Sequence, residues 1–105
     1  DGWKDGFLAV YSPHTTCGLT INEGWDPDVK ADMERFLAAR VPQDWGFRHA
    51  EGNSDAHIKT SFFGSSVLVP VADGRPDLGQ WQAVYLCESD GPRVRTLRVS
   101  FLKEA

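Results

Sequence analysis

Five short runs of β-favouring residues, most of them closed by glycine, proline or acidic turn residues, constrain the fold of this chain more than any other feature. The runs occupy residues 7–12, 17–21, 66–72, 80–88 and 94–102. The first run is too short for a helix, and all five are interpreted as strands from their β-favouring residues and the turns between them. In the fourth run Trp81, Ala83, Tyr85 and Cys87 share one face. The last three runs, separated by turn residues, are expected to be antiparallel neighbours.

Two helix signals interrupt the strands. Asp26 is expected to cap a helix that begins at Pro27 and ends near Arg40. Apolar residues recur along this segment at helical spacing, at Val29, Met33, Phe36 and Leu37. Ser54 is expected to cap a shorter helix over residues 55–63, which Gly64 would end. Strands and helices together predict a β-rich α+β domain.

Length and composition limit the class of protein. With 105 residues, 41% of them hydrophobic and 25% charged, the chain is expected to form one soluble domain over residues 1–105. The net charge of −4 disfavours binding to nucleic acid. No apolar stretch approaches the roughly 20 residues that span a membrane. The two cysteines, far apart in the sequence, favour a reducing, cytoplasmic location over a disulfide framework.

Three histidines, His14, His49 and His57, are the only ones in the chain, and all lie in polar segments beside strands or at a helix start. Three neutral imidazoles are a sufficient ligand set for a catalytic zinc ion with an open position, which Glu23, Glu51 or Asp55 could support. The spacing of the histidines does not itself indicate a metal site. Taken singly, each is more often a surface or hydrogen-bonded structural residue.

The start of the second helix is a candidate anion site. The polar segment 51–57 contains a glycine and precedes helical N–H groups that favour negative charge. Lys59 and Arg75 are candidates for further contacts to a phosphate. The alternative is an ordinary helix cap without a ligand, with both cations as solvated surface charges.

Several ordered segments together resemble one protein family. They are His14-Thr15-Thr16-Cys17-Gly18-Leu19-Thr20-Ile21-Asn22-Glu23, Asp26-Pro27-Asp28-Val29, Val41-Pro42, Arg48-His49, Gly52-Asn53-Ser54-Asp55-Ala56-His57-Ile58-Lys59 and Leu78-Gly79-Gln80-Trp81-Gln82. The chain resembles the YjbQ-like proteins, a family named secondary thiamine-phosphate synthase. The resemblance extends over essentially the whole chain.

The resemblance implies a single-domain, jelly-roll-like antiparallel β-sandwich with two inserted helices, assembled as a homotrimer. It also implies that the three histidines meet in one pocket near a subunit boundary, which holds a metal ion or an oxyanion. Glu23 is expected to join them as a catalytic residue. Residues of the same and later motifs are expected to contact the substrate, namely Asn22, Asn53, Ser54, Asp55, Lys59, Arg75 and Gln82.

Two departures from the family pattern are visible. Gln80 stands where the family usually has threonine in a Gly-Thr-Trp-Gln motif, so any role of that hydroxyl is in doubt here. The family also has a strand and a helix before the segment Asp5-Gly6-Phe7-Leu8, and the resemblance implies that both are absent from this chain. A missing strand would leave a sheet edge unpaired.

The family name implies that hydroxymethylpyrimidine diphosphate is joined to thiazole phosphate with release of diphosphate. This reaction requires stabilisation of the leaving group and usually magnesium, whereas three imidazoles suit zinc. One alternative is a metal-dependent hydrolase of a small phosphorylated substrate, with Glu23 or Glu51 as base. Another is a non-catalytic trimer that binds a small anion.

Overall fold

The structure, a computed structural model, describes residues 2–104. The strands and helices, in chain order, are β1 (Gly6–Tyr11), β2 (Cys17–Glu23), α1 (Pro27–Arg40), α2 (Ser54–Phe63), β3 (Ser66–Ala72), β4 (Arg75–Pro76), β5 (Gln82–Glu88) and β6 (Arg98–Lys103). The prediction of a small α+β domain with two helices and antiparallel sheets is confirmed. None of the helices in this described range is long and apolar enough to cross a membrane.

The strands form two antiparallel sheets. Four strands lie in the order β4-β3-β1-β6, and β2 pairs with β5 in a separate ladder. The prediction that the last three runs are neighbours is therefore wrong. β3 and β6 flank β1, which comes from the start of the chain, and β5 lies in the other sheet. Sequence alternation identifies the faces of a strand but not its partner, which is why the pairing was misread.

The last strand begins later than predicted, at Arg98 rather than at residue 94. Before it, the Arg95 side chain donates to Glu88 and to Thr16, and the Thr96 N–H donates to the His14 ring. The polar groups of this segment therefore bond to side chains and loop atoms instead of a strand ladder. These contacts bring residues 93–96 against the loop that follows β1.

Helix α2 packs on β2, and this contact contains part of the core. Ala56 and Thr60 of α2 are buried, as are Cys17 and Leu19 of β2. Gly18 permits the close approach, since a Cβ atom there would lie 2.8 Å from Phe63 Cβ and 2.9 Å from the Gly64 carbonyl oxygen. The Leu19 N–H donates to that same oxygen at 3.0 Å.

The start of α2 differs from the prediction. Asn53, not Ser54, occupies the N-cap position, and its side chain makes no capping hydrogen bond. Ser54 is already helical. At the other end Gly64 follows the helix as predicted, with φ of 103°, a conformation that favours glycine.

Helix α1 is well formed but poorly covered. As predicted, Asp26 caps it, accepting a hydrogen bond from the Asp28 N–H at 2.9 Å, and Pro27 occupies the first turn. The helix ends at Arg40, before Pro42. No residue of α1 is buried within the chain. Local sequence signals therefore define this helix more than packing does.

Candidate functional site

His14 lies in the loop after β1, and the backbone holds it in place. Its own N–H donates to the hydroxyl of buried Ser12 at 3.3 Å. The Nε2 atom of its ring accepts from the Thr96 N–H at 3.0 Å, and it also lies 3.1 Å from the Thr96 carbonyl oxygen. The Nε2 atom of His14 therefore contacts both backbone polar groups of Thr96, which holds the ring against the segment before β6.

His57 and His49 lie side by side. His57 is in the first turns of α2, and the two ring centroids are 5.3 Å apart in an edge-to-face arrangement. The Nε2 atom of His49 lies 3.4 Å from the Glu51 carboxylate. The structure thus brings His49 and His57 together, with Glu51 beside His49.

Arg95 is the most firmly held cation near these histidines. Its side chain is only 6% exposed. Its Nε atom donates to Glu88 at 2.7 Å, and its Nη2 atom donates to the second Glu88 oxygen and to the Thr16 hydroxyl. Hydrogen bonding to this guanidinium lowers the pKa of Glu88 from 4.5 to about 2. Glu88 raises the pKa of Arg95 in turn.

Arg93 and Asn53 meet at a second carboxylate, that of Asp90. The Nη2 atom of Arg93 lies 2.9 Å from Asp90 Oδ2, and the side-chain amide of Asn53 donates to the same oxygen at 2.8 Å. Among the described residues, Asn53 Oδ1 is the one buried side-chain nitrogen or oxygen without a hydrogen-bond partner. Asp90 thus joins the start of α2 to the segment before β6.

Several of these residues line one polar cleft of about 340 Å³, and His49 is not among them. The cleft lies between the loop after β1, the start of α2 and the segment before β6. Its lining residues are Pro13, His14, Thr15, Thr16, Glu51, Asn53, His57, Arg93 and Arg95. Two guanidinium groups and two imidazoles therefore face the same space, an arrangement suited to a small anion with several oxygen atoms.

Three of the predicted site residues instead organise neighbouring turns. The Asn22 side chain accepts from the Glu23 N–H at 2.8 Å, and the Glu23 carboxylate accepts from the Asp26 N–H at 3.3 Å. The Glu23 carbonyl oxygen accepts from the Tyr85 hydroxyl. Gln82 accepts from the Gly79 N–H at 2.8 Å. None of the three lines the cleft, so the structure does not place them with His14 and His57.

The remaining predicted contacts are also separate from the cleft. Asp55 is buried and pairs with Lys59, whose Nζ atom lies 3.3 Å away, one helical turn later. Lys59 lines a different cleft, of about 440 Å³, between α1, α2 and β5. Arg75 is exposed on β4, and Ser54 is not among the residues lining the histidine cleft.

The sequence interpretation missed Arg93 and Arg95. A local signal was present, because Glu88 and Asp90 precede the Gly91-Pro92 turn while the two arginines follow it. Acidic and basic residues on either side of a short turn are close enough to pair. Residues 94–102 were instead interpreted as one continuous strand, which gave Arg95 no special role.

The predicted three-histidine metal centre does not form. Across residues 2–104 no group of three His, Cys, Asp or Glu side chains is arranged to hold a metal ion. One physical reason is that the Nε2 atom of His14 contacts the Thr96 backbone. The expectation of zinc rested on that cluster, and the expectation of magnesium rested on the synthase reaction.

Similar proteins occur in several microorganisms. The chain is 50% identical over 99 residues to a UPF0047 protein of Methanocaldococcus jannaschii, an alignment that covers 94% of this chain and 72% of the relative. It is 48% identical over 102 residues to the UPF0047 protein YugU of Bacillus subtilis, covering 96% and 77%.

Solved structures agree closely in fold. A YjbQ/UPF0047 family protein of Clostridium acetobutylicum, described as uncharacterised, superposes with a TM-score of 0.90 at 45% identity, covering 94% of this chain and 77% of that one. A conserved hypothetical protein of Thermus thermophilus gives a TM-score of 0.91 at 45% identity, with 96% and 81% covered.

These findings correct the activity inferred from the resemblance. The relatives are described by a family designation or as uncharacterised, and nothing in them supports thiamine-phosphate synthesis. The prediction that this protein is a metal-binding thiamine-phosphate synthase, and hence a transferase, is therefore wrong. The family itself is confirmed by a match of residues 1–104 to the family model described as UPF0047 protein YjbQ-like. By sequence and by fold, this chain belongs to the UPF0047, YjbQ-like family.

Proposed function

We propose that this protein binds a small phosphorylated molecule in the cleft lined by His14, His57, Asn53, Arg93 and Arg95. The observation that carries the proposal is the convergence of two guanidinium groups and two imidazoles on one polar cleft. Phosphate has several acceptor oxygens and favours planar guanidinium donors, which can bind two of them at once.

Arg95 supports the proposal because its orientation is fixed before a ligand arrives. Glu88 and Thr16 hold its Nε and Nη2 atoms. In this proposal the Nη1 atom, for which no hydrogen bond is seen among the described residues, is the donor to the ligand. A donor that is already in place loses little conformational entropy when it binds.

Local geometry, rather than overall charge, provides the attraction in this proposal. The chain carries a net charge of −4, and Glu88 and Asp90 already pair with the two arginines. Long-range steering of an anion is therefore weak. The guanidinium donors of the cleft provide the selectivity for phosphate in this proposal.

The proposal includes a homotrimer with the jelly-roll-like sandwich of the family resemblance. Large aromatic side chains are unusually exposed in the single chain, among them Trp25 at 69%, Trp45 at 70% and Phe62 at 69%. Large aromatic side chains are enriched at protein interfaces, which supports this part of the proposal. Native mass spectrometry at low micromolar concentration is expected to show a trimer, and a monomer at all concentrations would contradict this part.

A cytoplasmic location is also part of the proposal. Both cysteines are free thiols, and Cys87 lies opposite Gly18 rather than Cys17 in the β2–β5 ladder. Burial and the neighbouring Cys17 raise the pKa of Cys87 to about 11, which keeps this thiol unreactive near neutral pH. Unbridged, unreactive cysteines are typical of a reducing compartment.

The test is a titration with inorganic phosphate, followed by thermal unfolding and calorimetry. A ligand that binds only the folded state raises Tm in a saturable way. We expect this rise in the unmodified protein and in the Arg35→Gln control, since Arg35 lies exposed on α1 beside Asp32. In Arg93→Gln, which removes a cleft donor while leaving Arg95 in place, the rise should largely disappear.

Two outcomes would contradict the proposal. No saturable binding of phosphate by the unmodified protein would exclude this ligand class. Equal binding by the unmodified protein and Arg93→Gln would place the anion elsewhere on the chain. Arg93 is chosen over Arg95 because its side chain is 53% exposed, so its replacement is far less disruptive to folding.

A further inference from the structure

We infer that the molecule bound in this cleft carries a hydroxyl or amine close to its phosphate, and that Asn53 Oδ1 accepts a hydrogen bond from it. This inference rests on the proposed function and narrows its ligand to a hydroxylated or aminated phosphate monoester. It arises from one atom, the buried and unpaired side-chain oxygen of Asn53. An ionised phosphate ester group offers only acceptor oxygens, so it cannot satisfy this oxygen, and the donor must come from another group of the ligand.

The orientation of the Asn53 amide is set by its neighbour. Its nitrogen donates to Asp90 Oδ2 at 2.8 Å. Rotating the amide by half a turn would place its oxygen against a carboxylate oxygen, which has no proton to donate. The oxygen of Asn53 is therefore the atom left without a partner, and only a hydrogen-bond donor can satisfy it.

The usual structural use of an N-cap asparagine does not explain this oxygen. At most helix starts the side-chain oxygen accepts from an N–H of the first turn. Asn53 occupies the N-cap of α2 but makes no such bond. By contrast, Asp26 at the N-cap of α1 does accept from Asp28 N–H at 2.9 Å. The hydrogen bond to Asp90 holds the Asn53 side chain away from the capping role.

The acceptor lies close to a phosphate donor. Asn53 and Arg93 bond the same atom, Asp90 Oδ2, at 2.8 and 2.9 Å. Both residues also line the same cleft. A phosphate on Arg93 therefore brings its nearest carbon atoms towards Asn53. A hydroxyl or amine on a carbon near the ester oxygen would fill the missing bond, whereas a bare alkyl chain would leave a buried acceptor unpaired, which is unfavourable.

The experiment compares two ligands that differ only in hydroxyl groups. Calorimetry measures the affinity of the unmodified protein for sn-glycerol 3-phosphate and for n-propyl phosphate, with inorganic phosphate as the reference. We expect glycerol 3-phosphate to bind about tenfold more tightly than propyl phosphate, because only the former satisfies the Asn53 oxygen. In Asn53→Ala the two esters should bind within about twofold of each other.

The outcomes separate this inference from the proposed function. If inorganic phosphate binds but the two esters bind equally to the unmodified protein, a water molecule satisfies Asn53 and the inference fails alone. If preference for glycerol 3-phosphate persists in Asn53→Ala, another residue recognises the hydroxyl and the assignment to Asn53 fails. If no phosphate compound binds, the proposed function itself fails. The comparison in the unmodified protein requires no variant, so a folding defect of Asn53→Ala cannot obscure it.

Discussion

The two helices of this chain begin with similar sequence signals but relate to the rest of the molecule in opposite ways. α1 has a capping aspartate that makes its hydrogen bond, yet none of its residues is buried. α2 has a cap residue that makes no side-chain capping bond, yet it buries Asp55, Ala56 and Thr60 against the fold. Local hydrogen bonding defines α1, whereas tertiary packing defines α2.

This difference explains where the candidate site lies. α2 is fixed against β2 through Gly18 and the Leu19–Gly64 hydrogen bond, so the residues at its start have a defined position. His57 and Asn53 are among them, and both line the polar cleft. α1 instead lies over the larger cleft with Phe36 exposed.

The largest effect is expected where α2 contacts β2. In Gly18→Ala the added methyl group would overlap with Phe63 Cβ at 2.8 Å and the Gly64 carbonyl oxygen at 2.9 Å. The helix must shift, and overpacking of this kind costs about 3 kcal/mol. Urea unfolding measures the loss. Gly2→Ala is the control, since no atom lies within 4 Å of its added Cβ. Equal urea midpoints for Gly18→Ala and Gly2→Ala would show that α2 is not held rigidly against β2.

A smaller effect is expected from the Glu88–Arg95 pair, which orders the other side of the cleft. The pKa of Glu88 is lowered from 4.5 to about 2 in the folded protein. A carboxyl group whose pKa is lowered by folding stabilises the folded state at pH values above its unfolded-state pKa. Here that stabilisation is lost as the pH falls from about 4.5 to about 2. The Glu88 side chain is 29% exposed, so solvent screens part of its interaction with Arg95. We expect Glu88→Gln to lower the free energy of unfolding by on the order of 2 kcal/mol at pH 7.

The pH dependence distinguishes this pair from the surface pairs of α1. The difference in unfolding free energy between the unmodified protein and Glu88→Gln should shrink when the measurement moves from about pH 7 to about pH 3. The control is Glu34→Gln, whose partner Lys30 lies 3.9 Å away on the exposed face of α1. That variant should change stability by less than about 0.5 kcal/mol. A pH-independent difference for Glu88→Gln would show that its charge is not the source of the stabilisation.

The sequence was sufficient for the elements that local chemistry determines. Asp26 and Pro27 predicted the start of α1, and Gly64 predicted the end of α2. Alternation predicted the faces of β5, where Ala83, Tyr85 and Cys87 are less exposed than the residues between them. In each case the decisive contacts lie within a few residues along the chain, so a single sequence contains the information.

Long-range contacts were beyond the same reasoning. β1 pairs with β3 and β6, which lie far away in the sequence, and no local pattern specifies this. The contact of His14 with Thr96 spans 82 positions, and that of Arg95 with Thr16 spans 79. The family resemblance named His14, Asn53 and His57, and the structure places these three on one cleft. It did not indicate the arginines, because their role depends on where the segment before β6 folds back.

The smallest effect is expected at the start of α1. Asp26→Ala removes the cap bond to Asp28 N–H and should destabilise the helix by about 1 kcal/mol. Because α1 buries no residue, the loss should appear as about fivefold faster amide hydrogen exchange within this helix, with little change in the global urea midpoint. Asp32→Ala, which removes only an exposed pair with Arg35, is the control. If global urea unfolding shows as large a loss of stability as amide exchange shows within the helix, α1 unfolds together with the core. The contrast between the two helices would then not hold.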